Sequence, residues 1–365
     1  MDALLEVVAK YLKGVSVAEV LVCLCAVPTV LWLTIYITTN VYMSLMGPVD
    51  LKKKYGAKWA LVTGASMGIG KSIAETLALQ GLNVVLVALP PRGSAPDDLQ
   101  DTTASLQEHF PKQEFRAIYA VFDHKTDYMP AIIDGTKDLD VQIVFNNAGY
   151  MVTGFFDSSS LDAQLGNIEC NATACVKVTH HFLQQMLQKK LRGCFVYTSS
   201  VSGFIPNPFA VCYGATKAFV TEFAASLAVE VRNHGIDVVS VHPSPVNSNF
   251  FNVGHKIESL EMARKMAVSP DSVPIKMLSC VGRCHLGDLG AMAVGMRLVV
   301  ACIPFDFFAG MFSFFAPVMD DYKRHNANRG MTEGRGQGQG LGAGAGRERA
   351  ATPKSTPKRS SSRGK

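Results

Sequence analysis

From Trp59 onward the chain alternates short, continuously apolar runs with longer helical stretches, and this alternation constrains the fold more than any other feature. Six runs have the length and composition of buried strands, at residues 59–64, 83–89, 115–123, 141–149, 193–200 and 236–245. Strands that are apolar throughout are buried on both faces, which is typical of a parallel sheet covered by helices. We therefore predict a single α/β domain with a doubly wound parallel sheet over residues 55–290.

A glycine-rich turn, TGASMGIG, joins the first run to the helix that follows it. Gly64, Gly68 and Gly70 allow the backbone to approach a ligand closely, and the amino end of the helix carries partial positive charge. In this strand–turn–helix context the pattern predicts a pyrophosphate site, as in dinucleotide-binding Rossmann folds.

Three polar side chains with catalytic potential follow the fifth run. Ser200 ends that run, and Tyr213 and Lys217 lie four residues apart, which places them on one face of the next helix. An ammonium about 4 Å from a phenolate stabilises it by roughly 4 kcal/mol at an effective dielectric of about 20. The pKa of the phenol is then expected to fall from about 10 to about 7 at the lowest, less the cost of desolvation. Tyr213 is predicted to act as a general acid or base; taken alone, the spacing is also that of any helix pair.

Together with the sequence NNAG at 146–149, these motifs resemble the short-chain dehydrogenase/reductase family over about residues 55–255. The resemblance implies reversible hydride transfer between a nicotinamide cofactor and a carbonyl or alcohol. It implies a catalytic set of Asn171, Ser200, Tyr213 and Lys217, in which Tyr213 protonates the forming alkoxide, Ser200 orients the substrate oxygen and Asn171 helps to place Lys217 through water. The implied cofactor contacts are Gly64, Ser66, Gly68, Ile69, Gly70, Arg92, Asp123, Asn146, Asn147, Ala148, Gly149, Tyr213, Lys217, Pro243, Val246 and Ser248.

The residues after the second run bear on the choice of cofactor. NAD-dependent members of the family carry an aspartate there and NADP-dependent members commonly an arginine, whereas this chain reads ALPPRG. Without an acid to bind the ribose 2′-hydroxyl, NADP(H) is favoured over NAD(H). Arg92 and Lys71 are the candidate partners of the 2′-phosphate, and a solvated surface charge is the alternative for each.

A second departure from the family lies at HPSPVNSNF, residues 242–250, where Pro-Gly-x-Val-x-Thr is frequent. Pro243 and Val246 match, and Ser244 replaces the glycine. Ser248 keeps a hydroxyl at the position whose threonine binds the nicotinamide carboxamide in the family. We expect that contact to be retained.

An apolar segment precedes the predicted domain. Residues 20–37 contain no charged side chain over 18 positions. As a helix they span about 27 Å, close to the ~30 Å hydrocarbon core of a bilayer. The run is long for a signal-peptide core and no clear cleavage motif follows, so residues 1–50 are predicted to be a retained membrane anchor. Four lysines follow the run, which predicts a cytosolic catalytic domain: Lys52, Lys53, Lys54 and Lys58.

A second apolar segment, residues 291–319, is rich in Phe and Met. Pro304 divides it into halves too short to cross a bilayer. The segment 291–328 is therefore predicted to lie on a membrane surface or to cover the cleft as a lid, with ordinary core or a homodimer face as the alternatives. Residues 329–365 are rich in Gly, Arg, Gln, Ser and Pro, a composition that predicts a disordered basic tail.

The net charge of +5 at pH 7 comes from the tail. The last 35 residues carry eight basic and two acidic side chains, so the rest of the chain sums to −1. No basic face for nucleic acid is implied. Nine cysteines, an odd number, favour a reducing compartment over a disulfide framework. Cys280, Cys284 and His285 lack a second ligand pair, and no metal site is predicted.

The anchor followed by DLKKKYGAKWALVTGAS resembles the membrane-bound group of the family, which includes 17-beta-hydroxysteroid dehydrogenases and very-long-chain 3-oxoacyl-CoA reductases of the endoplasmic reticulum. The sequence thus predicts a reductase anchored in the membrane of the endoplasmic reticulum that uses NADPH on a lipophilic carbonyl, such as a 3-oxoacyl-CoA or a ketosteroid. A 3-ketosphinganine reductase and a catalytically silent nucleotide-binding scaffold are the alternatives.

Overall fold

The computed structural model describes residues 16–248, 250 and 264–332. A 30-residue helix, α1 (Val17–Met46), comes first and is followed by a short helix, α2 (Leu51–Tyr55). Ser16 begins α1 through a capping box, because its hydroxyl accepts the Glu19 N–H at 3.2 Å while the Glu19 carboxylate accepts the Ser16 N–H at 2.7 Å. The helix contains the apolar run predicted at 20–37 and extends beyond it at both ends. It is long and apolar enough to cross a membrane.

Within the described ranges, seven strands form one parallel sheet: β1 (Trp59–Thr63), β2 (Asn83–Ala88), β3 (Phe115–Tyr119), β4 (Val141–Asn146), β5 (Gly193–Thr198), β6 (Ile236–Pro243) and β7 (Leu286–Leu289). The later helices are α3 (Gly68–Leu79), α4 (Asp98–His109), α5 (Met129–Thr136), α6 (Leu161–Ile168), α7 (Ala174–Gln188), α8 (Val211–Val231), α9 (Ser272–Cys280), α10 (Ala291–Cys302), α11 (Phe305–Phe315) and α12 (Asp320–Thr332).

The strand order is β3-β2-β1-β4-β5-β6-β7, and every neighbouring pair is parallel. The chain crosses back over the sheet between β3 and β4, so the strand order reverses between β1 and β4. In open α/β sheets ligands bind at the carboxyl ends of the strands at such a point. The predicted doubly wound parallel sheet is confirmed.

Two apolar layers cover the faces of the sheet, and they explain why the strands are apolar throughout. In β5, Cys194 and Val196 pack toward α3, α4 and α9, whereas Phe195 and Tyr197 pack toward α7 and α8. Successive side chains of a strand point to opposite faces, so a strand buried on both faces needs an apolar residue at each position.

The seventh strand was not predicted. Its four residues, LGDL, include a glycine and a carboxylate, and Ser240 to Pro243 of β6 pair with it. Asp288 is buried there because it is paired with groups distant in the sequence. A local apolar pattern cannot reveal a strand of this kind.

The apolar C-terminal segment turns at the predicted proline. Helix α10 ends before Pro304 and α11 follows it, and the two helices are bent by 111° relative to each other. Helix α12 continues through Thr332, so the backbone of residues 329–332 is helical. Residues 1–15 of the predicted anchor and 333–365 of the predicted tail lie outside the described residues.

Candidate active site

The predicted serine, tyrosine and lysine converge at the carboxyl edge of the sheet. Ser200 follows β5 closely, and Tyr213 and Lys217 lie near the start of α8. All three are buried, with exposed fractions of 9%, 9% and 4%. Lys217 Nζ lies 5.6 Å from the centre of the Tyr213 ring, and the nearby Ser200 side chain acts to lower the pKa of the phenol. The structure therefore brings together the three side chains selected from the sequence.

A close approach between the loop after Ser200 and helix α8 fixes this arrangement. Asn207 Nδ2 donates to the carbonyls of Ser202 and Ile205, both at 2.6 Å, and so holds the loop folded. The loop then lies against Gly214, where an added Cβ would come within 2.4 Å of Asn207 Nδ2. Glycine at this position lets the loop pack one residue away from Tyr213.

The protonation of the pair differs from the prediction. Burial raises the pKa of Tyr213 to about 12, against the opposing effect of the Ser200 hydrogen bond, and burial also lowers the pKa of Lys217. The predicted lowering of the phenol pKa is wrong for this geometry. Lys217 Nζ donates to the Thr198 carbonyl at 2.7 Å, and burial is the largest influence on the pKa of the phenol. Tyr213 is thus a protonated phenol at neutral pH.

Asn171 lies in a five-residue π-helical turn, Glu169–Thr173, between α6 and α7. Its Oδ1 accepts the Tyr150 N–H at 3.0 Å and its Nδ2 donates to the Tyr150 carbonyl at 2.9 Å. An added Cβ on Gly149 would lie 3.2 Å from Asn171 Oδ1 and 3.4 Å from Lys217 Nζ. The asparagine and the lysine therefore meet at the end of the NNAG loop, whereas the water predicted between them stays a prediction.

The glycine turn has the backbone that a pyrophosphate requires. Gly64 and Gly68 have φ values of +67° and +55°, in the left-handed region that favours glycine. The N-cap residue of α3, Met67, makes no side-chain capping hydrogen bond. The amides of the first helical turn are consequently free to bind an anion, and Ser66, Ile69 and Gly70 belong to the same turn. The residues present fit a dinucleotide.

The NNAG loop ties three strand ends together at this turn. Asn147 Nδ2 donates to the carbonyls of Thr63 and Gly64 at 3.1 and 3.4 Å, and Asn147 Oδ1 accepts from Thr198 Oγ1 at 3.0 Å. The amides of Asn147 and Ala148 both donate to Thr63 Oγ1 at 3.0 Å. The ends of β1, β4 and β5 are thereby held in one register around the site.

Arg92 and Asp123 follow β2 and β3 and lie near Tyr150, a residue that was not predicted. An added Cβ on Gly166 would lie 2.9 Å from the Tyr150 hydroxyl and 3.0 Å from Asp123 Oδ2. Burial raises the pKa of Tyr150, and the charge of Arg92 opposes that rise. Arg92 is exposed. Tyr150 directly follows the NNAG motif, and this position is the only signal in the sequence that could have identified it.

The loop that starts at Pro243 approaches the glycine turn from the other side. Val246 is buried, and an added Cβ on Gly68 would lie 3.4 Å from Cβ of Ser248. Ser244, which replaces the family's glycine, is buried, and its Oγ accepts the Ala293 N–H at 3.0 Å. The Ser244 side chain therefore caps helix α10, and Ser248 lies next to the glycine turn.

An apolar wall adjoins Tyr213 and was not predicted. Met151, Ala210 and Phe250 pack with the tyrosine, and the rings of Tyr213 and Phe250 are 5.7 Å apart. Phe209 adopts φ +65°, an uncommon conformation for a residue with a side chain. Met151 and Phe250 are distant from Tyr213 in the sequence, so their position beside it became visible only in the fold.

The profile of the family described as short chain dehydrogenase matches residues 58–256, more than half of the chain. The chain belongs to the short chain dehydrogenase family. The resemblance given by the glycine turn, the NNAG loop and the catalytic set is confirmed.

Curated relatives of this short chain dehydrogenase carry two kinds of name. "Very-long-chain 3-oxoacyl-CoA reductase" of Laccaria bicolor is 30% identical over 68% of this chain and 71% of its own length. "Hydroxysteroid dehydrogenase-like protein 1" of Gallus gallus is 34% identical over 54% of this chain, and the match spans 58% of the length of that protein. "Inactive hydroxysteroid dehydrogenase-like protein 1" of Homo sapiens is 34% identical over 53% of this chain and 57% of its own length.

Solved structures share the fold. A 7beta-hydroxysteroid dehydrogenase superimposes with a TM-score of 0.62 and 22% identity, covering 73% of this chain and 100% of that one. A short-chain dehydrogenase from Sphingobium yanoikuyae in complex with NADPH gives a TM-score of 0.55 and 24% identity, covering 77% and 98%. The family and the reductase relatives confirm the predicted class, an NAD(P)-dependent oxidoreductase acting on CH–OH or C=O groups.

Proposed function

We propose that this short chain dehydrogenase is a membrane-anchored, NADPH-dependent reductase of a lipophilic ketone, a 3-oxoacyl-CoA first and a ketosteroid second. The observation that carries the proposal is the convergence of the buried side chains of Ser200, Tyr213 and Lys217 beside an apolar wall. The reductase names of several relatives support the substrate class.

The bound nicotinamide cofactor would supply the hydride. Tyr213 then donates its proton to the oxygen of the reduced carbonyl, and the pKa of about 12 keeps that proton in place at neutral pH. Ser200 Oγ accepts the Ser202 N–H at 3.2 Å, so its own proton is available to orient the substrate oxygen. Lys217 uses one N–H on Thr198 and keeps two for ribose hydroxyls.

Preference for NADPH is the first testable part of the proposal. We expect Arg92→Ala to raise the KM for NADPH by about tenfold, the loss of one charge-assisted hydrogen bond, and to leave the KM for NADH unchanged. Steady-state kinetics with both cofactors measure this, with Lys71→Ala tested separately and Arg232→Ala as a remote control. An equal change for both cofactors, or a wild type that prefers NADH, would contradict the assignment.

Membrane attachment is supported by two apolar surfaces. Helix α1 is exposed and apolar before Tyr36, which makes the first polar contact between this helix and the catalytic domain, from its hydroxyl to Asp288 at 2.9 Å. On α11, Phe305, Phe307 and Phe314 are 64%, 62% and 77% exposed. Large exposed apolar patches of this kind mark contact with a membrane or another protein. We assign both surfaces to the bilayer of the endoplasmic reticulum, with the catalytic domain in the cytosol.

A tryptophan probe separates bilayer contact from a homodimer face. The native Trp32 of α1 is first replaced by Phe, so that it does not report on the bilayer. In the full-length Trp32→Phe protein reconstituted with brominated lipids, the fluorescence of Phe307→Trp is expected to be quenched relative to plain lipids. The matched variant Phe219→Trp, on the 45% exposed Phe219 of α8, should be unaffected. Equal quenching of the two probes, or none, would remove α11 from the membrane surface.

The orientation has its own measurement. Protease added outside sealed microsomes is expected to digest the catalytic domain, because the lysines after α1 favour the cytosolic side. A domain that is protected until detergent is added would reverse the assignment.

The human relative is named as inactive, and a catalytically silent nucleotide-binding scaffold is therefore the second candidate. NADPH oxidation by the full-length protein across long-chain 3-oxoacyl-CoAs, ketosteroids and 3-ketosphinganine decides among the candidates. Turnover of 3-oxoacyl-CoAs alone supports the first choice, and turnover of 3-ketosphinganine alone replaces it. NADPH binding without turnover of any substrate indicates the scaffold.

A further inference from the structure

A buried polar cluster outside the cleft connects α1 with both catalytic segments. It consists of Tyr36 on α1, His242 on β6, Asp288 on β7 and Arg297 on α10. The side chains of His242, Asp288 and Arg297 are 0%, 4% and 19% exposed. None of the four was predicted to be functional.

Asp288 is the centre of this cluster. Its Oδ1 accepts from Arg297 Nη2 at 3.0 Å and lies 3.1 Å from His242 Nδ1. Its Oδ2 accepts from Arg297 Nε at 3.0 Å and from the Tyr36 hydroxyl at 2.9 Å. Burial opposes ionisation, but the hydrogen bonds of His242 and Arg297 hold the pKa of Asp288 well below its usual range. The carboxylate is therefore charged and joins three elements of the fold.

One route leads from the cluster to the Ser200 turn. The Arg297 guanidinium lies 3.9 Å from the centre of the Phe204 ring. Phe204 ends the short helical turn that Ser200 begins, and the Ser200 hydroxyl caps that turn through Ser202. A displacement of Arg297 would consequently act on the turn that orients Ser200.

A second route leads to Lys217. His242 Nε2 lies 2.9 Å from Thr221 Oγ1, and Thr221 Oγ1 lies 2.9 Å from the Lys217 carbonyl oxygen. Ser199 Oγ donates to the same carbonyl at 2.8 Å. Two hydroxyl groups thus hydrogen-bond the backbone carbonyl of Lys217, and one of them, that of Thr221, also contacts His242.

We propose that Asp288 and Arg297 are positioning residues for the reduction, which fix the Ser200 turn and the Lys217 backbone relative to each other and to α1. For its activity readout this inference rests on the proposed function. A buried ion pair contributes little stability compared with apolar packing. Catalytic groups, in contrast, must be held to within about 0.5 Å by supporting contacts. The geometry points to placement of catalytic groups as the contribution of this pair.

The test uses the full-length protein in detergent with Arg297→Met, Arg297→Lys and Tyr36→Phe. A misplacement near 1 Å can cost about 100-fold in rate, so we expect Arg297→Met to lower kcat by about tenfold or more. The KM for NADPH should stay within about twofold, Arg297→Lys should recover part of the loss, and Tyr36→Phe should lower kcat about threefold. The control is Arg116→Met on β3. It breaks the two hydrogen bonds that Arg116 donates to Asp138, at 2.6 and 2.9 Å, and should leave kcat unchanged.

Amide hydrogen exchange of residues 199–204 and 213–221 is measured in parallel, on the folded Arg297→Lys and Tyr36→Phe proteins if Arg297→Met does not fold. Faster exchange in these segments, and not in the Arg116→Met protein, supports the inference. Unchanged exchange, or an equal fall of kcat in Arg116→Met, overturns it. A wild type that reduces no ketone refutes the proposed function, whereas the exchange experiment still decides the role of the cluster.

Discussion

Replacement of Tyr213 by Phe is expected to lower kcat for ketone reduction by about 10³-fold or more. Tyr213 packs directly against the apolar wall, and its raised pKa keeps the proton on the phenol oxygen at neutral pH. Removal of one hydroxyl leaves the glycine turn and Lys217 in place. The affinity for NADPH, measured by fluorescence titration, should therefore remain within about twofold of wild type.

Tyr197→Phe is the matched control for this substitution. Tyr197 is fully buried on β5, and its hydroxyl lies 2.7 Å from Thr179 Oγ1, away from the cleft. Loss of that hydrogen bond should reduce the free energy of unfolding by about 1 kcal/mol and leave kcat unchanged. Equal activity of wild type and Tyr213→Phe would show that another group donates the proton.

Replacement of Gly70 by Ala is expected to reduce both NADPH affinity and stability. The added Cβ would lie 2.0 Å from the Gly64 oxygen, 2.7 Å from the Gly64 carbon and 2.8 Å from Asn147 Nδ2. Two of these atoms are backbone, so the turn and the amino end of α3 must separate. We expect a free energy of unfolding lower by about 3 kcal/mol, the upper part of the range for overpacking. NADPH affinity should fall about 100-fold, because the amides no longer converge on the pyrophosphate.

Gly295→Ala tests whether these losses depend on the site. Gly295 lies within α10, and an added Cβ there meets nothing within 4 Å. Alanine should stabilise this helix by up to about 1 kcal/mol without affecting the cofactor. Denaturant unfolding and fluorescence titration of both variants measure the contrast. Wild-type affinity in the Gly70→Ala protein would exclude the glycine turn as the pyrophosphate site.

The sequence contained enough information for the sheet and for the convergence of the catalytic set. Strands buried on both faces are apolar at most positions, as in β5, and that pattern is local. The glycine turn is local too, because Gly64 and Gly68 adopt backbone conformations that other residues disfavour. Tyr213 and Lys217 are one helical turn apart by their spacing alone.

Properties that arise from contacts between residues distant in the chain could not be predicted from the sequence. The pKa of Tyr213 depends on the depth of burial, which the spacing to Lys217 does not contain. The burial of Asp288 on strand β7 depends on its contacts with His242 and Arg297. The role of Ser244 depends on its contact with Ala293, 49 positions along the chain.

The point at which α1 meets the catalytic domain sets the thickness of bilayer that this helix matches. Residues 17–35 precede the Tyr36 contact and are largely exposed. As a helix they measure about 28 Å, near the ~27 Å hydrocarbon thickness of the endoplasmic reticulum and short of the ~32–33 Å of a plasma membrane. In a thicker bilayer, the lipid would have to thin around α1 or the domain would have to be drawn into the headgroups. Under the proposed membrane attachment, the length of α1 that precedes the contact with Asp288 would favour a thin bilayer over a thick one.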